Sequence, residues 1–217
     1  MKKSILGNSM KLWTKAGAII MVSAIILAAG YSRRMGKNKL LLKYRGKSLI
    51  ERTIETIEKC GFSEVILVGR EEEIIKTGNR YGLAVVKNQN ANKGISESIK
   101  LGVMQAVQTD GYMFFTADQP FLDVDTVKGL IREFIQNPSY IIVPRCDSRR
   151  GNPVIFPYSF KEDFLQLQGD IGGKLIINKN LDKVKFVEIS DSWGLFDVDT
   201  NENYEYILKL EENNEYV

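Results

Sequence analysis

The stretch that decides the fold is LAAGYSRRMGKNK, residues 27–39. It follows Val22–Leu27 (VSAIIL), a continuous apolar run that predicts a buried parallel strand. An open α/β sheet binds its ligand at the carboxyl ends of such strands. Glycines let backbone N–H groups approach an anion there, and nearby cations neutralise its charge. With Arg33, Arg34, Lys37 and Lys39, the stretch predicts a loop that binds phosphate, and a triphosphate suits it. A surface loop with scattered charge is the alternative.

Two familiar phosphate motifs do not describe this loop. A Walker A motif needs four residues between its glycines and then Lys-Ser or Lys-Thr, but five residues separate Gly30 from Gly36 and Lys37-Asn38 follows. The dinucleotide fingerprint needs glycine at position 32, where Ser32 stands. The loop therefore belongs to another class of phosphate site.

Composition narrows the chemistry further. The 217 residues include no histidine, which excludes a histidine base, a triad that uses histidine and a zinc site ligated by histidine. Cys60 and Cys146 are too few for a zinc site made of cysteines. Any metal is therefore expected to be a hard cation bound by oxygen, such as Mg²⁺.

Charge is unevenly distributed along the chain. The net charge is only +3, yet residues 1–50 contain eleven Lys and Arg and no Asp or Glu. This asymmetry favours a local anionic ligand over a nucleic-acid track, although a randomly basic leader remains an alternative.

The apolar run at residues 16–30 resembles a signal peptide but is too short to span a bilayer. We interpret residues 1–20 as an N-terminal extension or alternative start, and residues 21–217 as one domain. We expect a cytoplasmic protein that binds neither nucleic acid nor membrane, since the two cysteines show no sign of pairing.

Strand and helix patterns alternate over the first 140 residues, which predicts an α/β fold with a mostly parallel sheet and a small added β edge. The predicted strands are Val22–Leu27, Glu64–Val68, Leu83–Val86, Tyr112–Thr116, Tyr140–Val143, Val154–Phe156, Val184–Ile189 and Phe196–Val198. The predicted helices are Leu49–Cys60, Glu71–Tyr81, Ser96–Val107, Asp123–Gln136, Phe160–Leu167, Lys174–Asn178 and Glu202–Glu212.

Several polar residues are candidates either for helix caps or for a site. Asp118 follows a predicted strand and could hold Mg²⁺ opposite the loop, or could simply start a turn. Asp197 and Asp199 lie two apart on an extended segment, so both can face one side, and Asp199 is the better candidate to complete the metal site. Ser96, Asp170 and Thr200 could cap the helices that follow them.

The loop resembles the signature of small nucleotidyltransferases, L-A-A/G-G-x-S/G-x-R-M-G-x-x-K. The resemblance implies a Rossmann-like three-layer α/β/α nucleotidyltransferase fold in which the loop wraps a nucleoside triphosphate. Arg34 and Lys39 would contact the phosphates and, with Asp118, carry the catalysis. The implied nucleotide-binding residues are Leu27, Ala28, Ala29, Gly30, Ser32, Arg34, Met35, Gly36, Lys39, Gly94, Ser96, Ser98 and Asp118.

Further segments resemble the molybdenum-cofactor cytidylyltransferases within the MobA-like group. ADQP at residues 117–120 matches a motif whose Asp binds magnesium there, and FDVDT at 196–200 resembles D-I-D-T; the resemblance thus supports Mg²⁺ on Asp118 and Asp199. RGNPVIF at 150–156 and GDIGGK at 169–174 resemble R-G-H-P-V-L-F and G-D-x-G-A-R. They imply an acceptor site at Asn152, Pro153, Asp170 and Gly172. Asn152 replaces the family's histidine and cannot titrate near neutral pH, so we expect it to position the acceptor.

The resemblance implies transfer of CMP from CTP to molybdopterin, with or without molybdenum, and release of pyrophosphate. The partners would be CTP, a molybdopterin-type acceptor and an apo molybdenum hydroxylase that receives the product. Transfer of GMP or another nucleotide to a phosphate-bearing acceptor is an alternative. A nucleotide-binding chaperone without catalytic activity is another.

Overall fold

The computed structural model describes residues 13–15 and 18–213. Its strands are β1 Trp13–Lys15, β2 Ala18–Ile20, β3 Val22–Ala28, β4 Lys43–Tyr44, β5 Lys47–Ser48, β6 Glu64–Gly69, β7 Ala84–Lys87, β8 Gly111–Thr116, β9 Ile141–Cys146, β10 Arg149–Arg150, β11 Val154–Pro157 and β12 Val184–Glu188. Its α-helices are α1 Leu49–Glu58, α2 Glu72–Arg80, α3 Ile95–Gln105, α4 Val124–Gln136, α5 Lys161–Leu165, α6 Gly173–Lys179 and α7 Asn201–Glu212. Single 3₁₀ turns cover Lys39–Leu41, Ala91–Lys93, Tyr158–Phe160, Leu181–Lys183 and Ser192–Leu195.

The main sheet has the strand order β10-β9-β11-β8-β3-β6-β7, and β12 also pairs with β9. β3 lies between β8 and β6 and runs parallel to both, and β6 runs parallel to β7. β11 is antiparallel to β8 and β9, and β10 is antiparallel to β9. The predicted parallel sheet with an added β edge is therefore confirmed.

Helices cover both faces of this sheet and therefore bury β3 on both sides. Ala24 and Ile26 of β3 belong to the hydrophobic cluster that contains residues of α1 and α4, whereas Ile25 belongs to the cluster that contains residues of α3, α5 and α6. Alternate side chains of one strand thus enter two cores. This explains the continuous apolar run at residues 22–27, and it confirms the three-layer architecture.

Three local predictions were wrong. Phe196–Val198 forms no strand, because the Val198 N–H donates to the Asp118 carbonyl (2.9 Å) in a loop contact. Ser96 caps no helix, since α3 begins at Ile95 with Gly94 as its N-cap. Asp170 does not cap α6, whose N-cap is Gly172. Thr200, in contrast, caps α7 as predicted.

The N-terminal prediction lies partly outside the described residues. Among those that are described, β1 and β2 form a short antiparallel pair apart from the main sheet. Cys60 and Cys146 are both buried and free. Across the part of the chain that the structure describes, no helix combines the length and the apolar character needed to cross a bilayer.

Candidate active site at the carboxyl edge of the sheet

The loop that follows β3 curls back on itself and is called here the phosphate loop (residues 29–39). The Met35 N–H donates to the Ser32 carbonyl (2.9 Å), and the Lys39 N–H donates to Ser32 Oγ (3.2 Å). Ser32 and Gly36 have positive φ values of 48° and 66°, which the tight curl requires. Met35 is buried in a third hydrophobic cluster that includes Ile207 of α7. The two ends of the loop are thus held close together.

Lys39 joins the phosphate loop to two carboxylates. Its Nζ donates to Asp118 Oδ2 and to Asp199 Oδ1 (2.8 Å), and Arg34 Nη2 lies 3.4 Å from Asp199 Oδ2. Burial opposes the charge of Lys39, but Asp118 and Asp199 outweigh burial and raise its pKa. The hydrogen bond from Lys39 lowers the pKa of Asp199. The ammonium and the Asp199 carboxylate are therefore both charged near neutral pH.

The two carboxylates meet because backbone contacts fix their segments. The Val198 N–H bonds the Asp118 carbonyl, which fastens the segment before α7 to the end of β8. Asn203 Oδ1 accepts from the backbone N–H groups of Asp199 and Thr200, each at 3.2 Å. Thr200 Oγ1 accepts in turn from the Asn203 N–H. The cap of the last helix therefore orients Asp199 toward Lys39.

Asp118 and Asp199 have the donor chemistry for a hard cation. Asp118 Oδ1 is buried and has no hydrogen-bond partner in the described part of the chain, so it has a free lone pair. The described residues contain no group of three or more Asp, Glu, Cys or His side chains arranged to hold a metal ion. Mg²⁺ commonly takes one or two carboxylates and completes its shell with water and substrate phosphates. The residues present fit that mode of binding.

A third carboxylate, Asp197, lies beside this pair. Burial, followed by the charges of Asp118 and Asp199, raises the pKa of Asp197 to about 7. Val198 between the two acids is fully buried, and Asp197 Oδ1 is buried as well. Gln119 is also buried, and its side-chain amide lies beside Asp197 and partly offsets the rise in the pKa of that carboxyl group.

A cavity of about 370 Å³ lies between the phosphate loop, α3 and the end of β8. The predicted nucleotide-binding residues that line it are Leu27, Ala29, Gly30, Ser32, Lys39, Gly94, Ser98 and Asp118. The remaining five do not line it. Ala28, Met35 and Ser96 are buried, Arg34 lies against Asp199, and Gly36 faces a groove next to α7.

A second and larger cavity, about 660 Å³, adjoins the first. Its apolar wall includes Phe114, Phe115, Phe156 and Phe164, and its polar lining includes Arg150, Asn152, Asp170 and Lys174. Of the predicted acceptor residues, Asn152, Asp170 and Gly172 line it, whereas Pro153 is buried behind it. Leu27, Ile95, Thr116 and Asp170 line both cavities, which therefore form one cleft with two lobes.

A close approach between two glycines forms the border of these lobes. Gly94 has φ +109°, and a Cβ there would lie 2.2 Å from the carbonyl carbon of Gly169. The Ser96 N–H donates to the Gly169 carbonyl (3.2 Å), and the Ile95 N–H donates to Asp170 Oδ1 (3.3 Å). The start of α3 is thus fastened to residues 169–170, and Asp170 satisfies a free N–H of α3 instead of α6.

Sequence reasoning missed two features of the site. Tyr31 lines the smaller cavity, and the Arg70 guanidinium carbon lies 4.1 Å from the centre of its ring. Asn88 is buried, and its Nδ2 donates to Ser98 Oγ (2.9 Å), which fixes a residue of the cavity wall. A signal existed for both, because Arg70 directly follows β6 and Asn88 directly follows β7, at the same edge as the phosphate loop.

The fold and the site together define an α/β protein with a cleft of two lobes at the carboxyl edge of its parallel strands, which is where such sheets bind ligands. The chain belongs to the MobA-like NTP transferase domain family, whose profile matches residues 24–184. That match covers the phosphate loop, Asp118 and the whole second cavity, and it ends before Asp197 and Asp199.

Two curated relatives match the chain along nearly their whole length. A protein of Natranaerobius thermophilus named probable molybdenum cofactor guanylyltransferase is 28% identical over 87% of this chain and 95% of its own. The purine catabolism protein PucB of Bacillus subtilis is 29% identical over 85% of this chain and 95% of its own. The relatives' names thus point to more than one process.

Solved structures share the fold. Rv0371c of Mycobacterium tuberculosis H37Rv superposes with a TM-score of 0.78 at 23% identity, covering 88% of this chain and 98% of that chain. A second structure of Rv0371c, described as a complex with manganese, superposes with a TM-score of 0.72 at 22% identity, covering 87% and 98%. At this identity the likeness establishes the architecture alone.

Proposed function

We propose that this protein transfers CMP from CTP to the phosphate of a molybdopterin-type acceptor and releases pyrophosphate. The observation that carries the proposal is the position of Lys39 between Asp118 and Asp199, in a cleft with two adjoining lobes. One lobe suits a nucleotide and the other a second substrate. The name of the Natranaerobius relative supports the choice of acceptor.

The reaction exchanges one phosphoryl bond for another. An oxygen of the acceptor's phosphate forms a bond to the α-phosphorus of CTP, and the bond from that phosphorus to the β-phosphate oxygen breaks. The bonding electrons leave with pyrophosphate. A phosphate monoester is largely ionised near pH 7, so it needs no strong general base. The protein's contribution is therefore alignment and neutralisation of charge.

The cationic side chains perform the neutralisation. Lys39, whose pKa is raised, stays protonated and lines the smaller cavity. Arg34 forms an ion pair with Asp199 and adds a second positive charge next to Lys39. Backbone N–H groups of the phosphate loop add further donors for the triphosphate. Such oriented charges are worth about 3–4 kcal/mol per group when they act on the transition state.

Asp118 and Asp199 would hold Mg²⁺. The ion, when bound, neutralises charge on the phosphates and on the leaving group. The buried, unpartnered Asp118 Oδ1 supports this assignment. The manganese complex of Rv0371c supports a divalent cation in a protein of the same fold.

The larger cavity would take the ring system of the acceptor. Its phenylalanine wall suits a planar heterocycle, and Arg150 and Lys174 supply cations for an anionic substituent. Asn152 offers a donor and an acceptor in place of the family's histidine and would position the acceptor. A cytoplasmic apo molybdenum hydroxylase would then receive the product.

Transfer of GMP from GTP is the second candidate. The name of the Natranaerobius relative favours it, because that protein is called a guanylyltransferase. The Leu27–Gly30 sequence LAAG and the ADQP motif favour CTP, because guanylyltransferases more often carry LAGG and DMP.

Pyrophosphate release tests the proposal. We expect release that requires acceptor and Mg²⁺ and that is faster with CTP than with GTP. Asp118→Asn should abolish it, whereas Asp125→Asn, an exposed acid on α4, should leave it unchanged. A faster reaction with GTP would select the second candidate. Absence of release with every triphosphate would refute both.

A further inference from the structure

Arg70 and Glu71 connect the two ends of the phosphate loop from outside. At the start of the loop, the Arg70 guanidinium stacks 4.1 Å from the ring centre of Tyr31. Arg70 Nη2 donates to Glu71 Oε1 (2.5 Å). At the end of the loop, Asn38 Nδ2 donates to Glu71 Oε2 (2.7 Å). One chain of contacts therefore runs from Tyr31 through two residues that follow β6 to Asn38.

We propose that Arg70 and Glu71 form a brace that holds the phosphate loop in the shape that binds a triphosphate. They are positioning residues, because neither lines the cavity. Their effect reaches Lys39 through Asn38, whose Oδ1 accepts from the Leu40 N–H (3.0 Å) and so caps the turn that begins at Lys39. A shift of Asn38 would move Lys39 relative to the two carboxylates.

The surroundings of the two brace residues distinguish them from an ordinary surface ion pair. The side chains of Arg70 and Glu71 are only 29% and 33% exposed. Arg70 Nε is buried and has no hydrogen-bond partner in the described residues, an unfavourable arrangement that the stacking on Tyr31 offsets. Glu71 occupies the N-cap position of α2, but its side chain makes no capping bond. Both side chains therefore contact the phosphate loop, and neither caps α2.

The brace matters because the loop holds an uncommon backbone shape. Ser32 has a positive φ without being glycine, so the loop gains from contacts that fix its ends. Loss of the brace would leave the loop to be ordered by the ligand, which weakens binding. This expectation rests on the proposed function: without Arg70, the Kd for MgCTP should rise about fivefold. That factor corresponds to the loss of one partly exposed cation–π contact. The acceptor's KM should not change.

Limited trypsin digestion of the full chain tests the brace without a ligand. The phosphate loop contains exposed Arg33, Arg34 and Lys37, and cleavage there reports how often the loop opens. Arg70→Ala and Glu71→Ala should each raise the rate of cleavage in the loop several-fold. Arg80→Ala is the matched control, because Arg80 also contacts a tyrosine ring, Tyr81, and a glutamate, Glu51. It should leave the rate unchanged.

Calorimetric titration with MgCTP supplies the second readout. Arg70→Ala should raise the Kd, Arg80→Ala should not, and the thermal midpoints of both variants should lie well above the assay temperature. In a double-mutant cycle, Tyr31→Ala combined with Arg70→Ala should bind no more weakly than Tyr31→Ala alone, because Tyr31 itself lines the cavity whereas Arg70 acts through its ring. Wild-type proteolysis and affinity in Arg70→Ala and Glu71→Ala, or multiplicative losses in the cycle, would overturn the brace. If the wild type binds no triphosphate, the proposed function fails, while the digestion still decides the brace.

Discussion

Lys39 Nζ lies 2.8 Å from Asp199 Oδ1, although 160 residues separate the two along the chain. The same ammonium also bonds Asp118. The lysine that ends the phosphate loop is therefore the point where the loop after β3, the turn after β8 and the segment before α7 meet. The proposed chemistry depends on this junction.

Replacing Lys39 by methionine should lower kcat/KM for CTP at least about a hundredfold, since a group that neutralises charge in the transition state is lost. The apolar stem is retained, so packing should change little. Steady-state release of pyrophosphate measures the effect. Lys47→Met is the matched control, because Lys47 pairs with Glu55 away from the cleft. Equal losses in the two variants would contradict a specific role for Lys39.

Asp199→Asn should raise the Mg²⁺ concentration needed for half-maximal rate, because an amide oxygen is a weaker ligand for a hard cation than a carboxylate. Its hydrogen-bond geometry at Lys39 should largely survive. Titration of the rate with Mg²⁺, after removal of metal with EDTA, gives the measurement. An unchanged half-maximal concentration would mean that Asp199 serves only to orient Lys39. Asp182→Asn, on the 3₁₀ turn 181–183, provides the control.

Ionisation of the buried Asp197 should lower the free energy of unfolding of the protein as pH rises. Its pKa is raised from 3.8 to about 7 in the folded protein, so the folded state binds its proton more tightly than the unfolded state. The resulting stabilisation is complete below about pH 4 and is lost as pH rises through 7. In EDTA, urea unfolding of the wild type should lose about 2 kcal/mol more between pH 4.5 and 8 than unfolding of Asp197→Asn. Identical pH dependence in both proteins would contradict the assignment.

Gly94→Ala should destabilise the protein by about 2–3 kcal/mol, through a backbone shape that only glycine adopts readily and a clash with Gly169. Gly82→Ala separates the two causes, because Gly82 has φ +72° and open space around its Cβ position. It should cost about 1 kcal/mol. Thermal unfolding gives both values. Similar losses would show that α3 is not held against residues 169–170.

The sequence predicts those parts of the fold in which a local pattern decides the structure. The apolar run at residues 22–27 predicts a strand buried on both faces, and the loop after it predicts where the cleft lies. Phe196–Val198 reads as a strand for the same reason, but Val198 bonds a loop carbonyl of Asp118, which no local pattern encodes. Contacts across the sheet edge determine the conformation of that segment.

The cap of α3 and the brace formed by Arg70 and Glu71 also depend on contacts that a local sequence pattern does not encode. Ser96 has the right chemistry for a cap, yet the N-cap of α3 is Gly94, two residues earlier, where the chain approaches Gly169. Arg70 reads as an ordinary charge after β6, and only its proximity to Tyr31 gives it a role. Thr200 was predictable, because its partner Asn203 is only three residues away.

The most direct test follows the α-phosphate itself. CTP labelled at the α-phosphorus is incubated with the protein, Mg²⁺ and molybdopterin, and the products are separated. The account predicts that the label appears in a product in which CMP is joined to the acceptor's phosphate through a phosphoanhydride bond, with one pyrophosphate released for each molecule of product formed. Label that remains in CTP, or that appears only as free CMP or CDP whether or not acceptor is present, would contradict it.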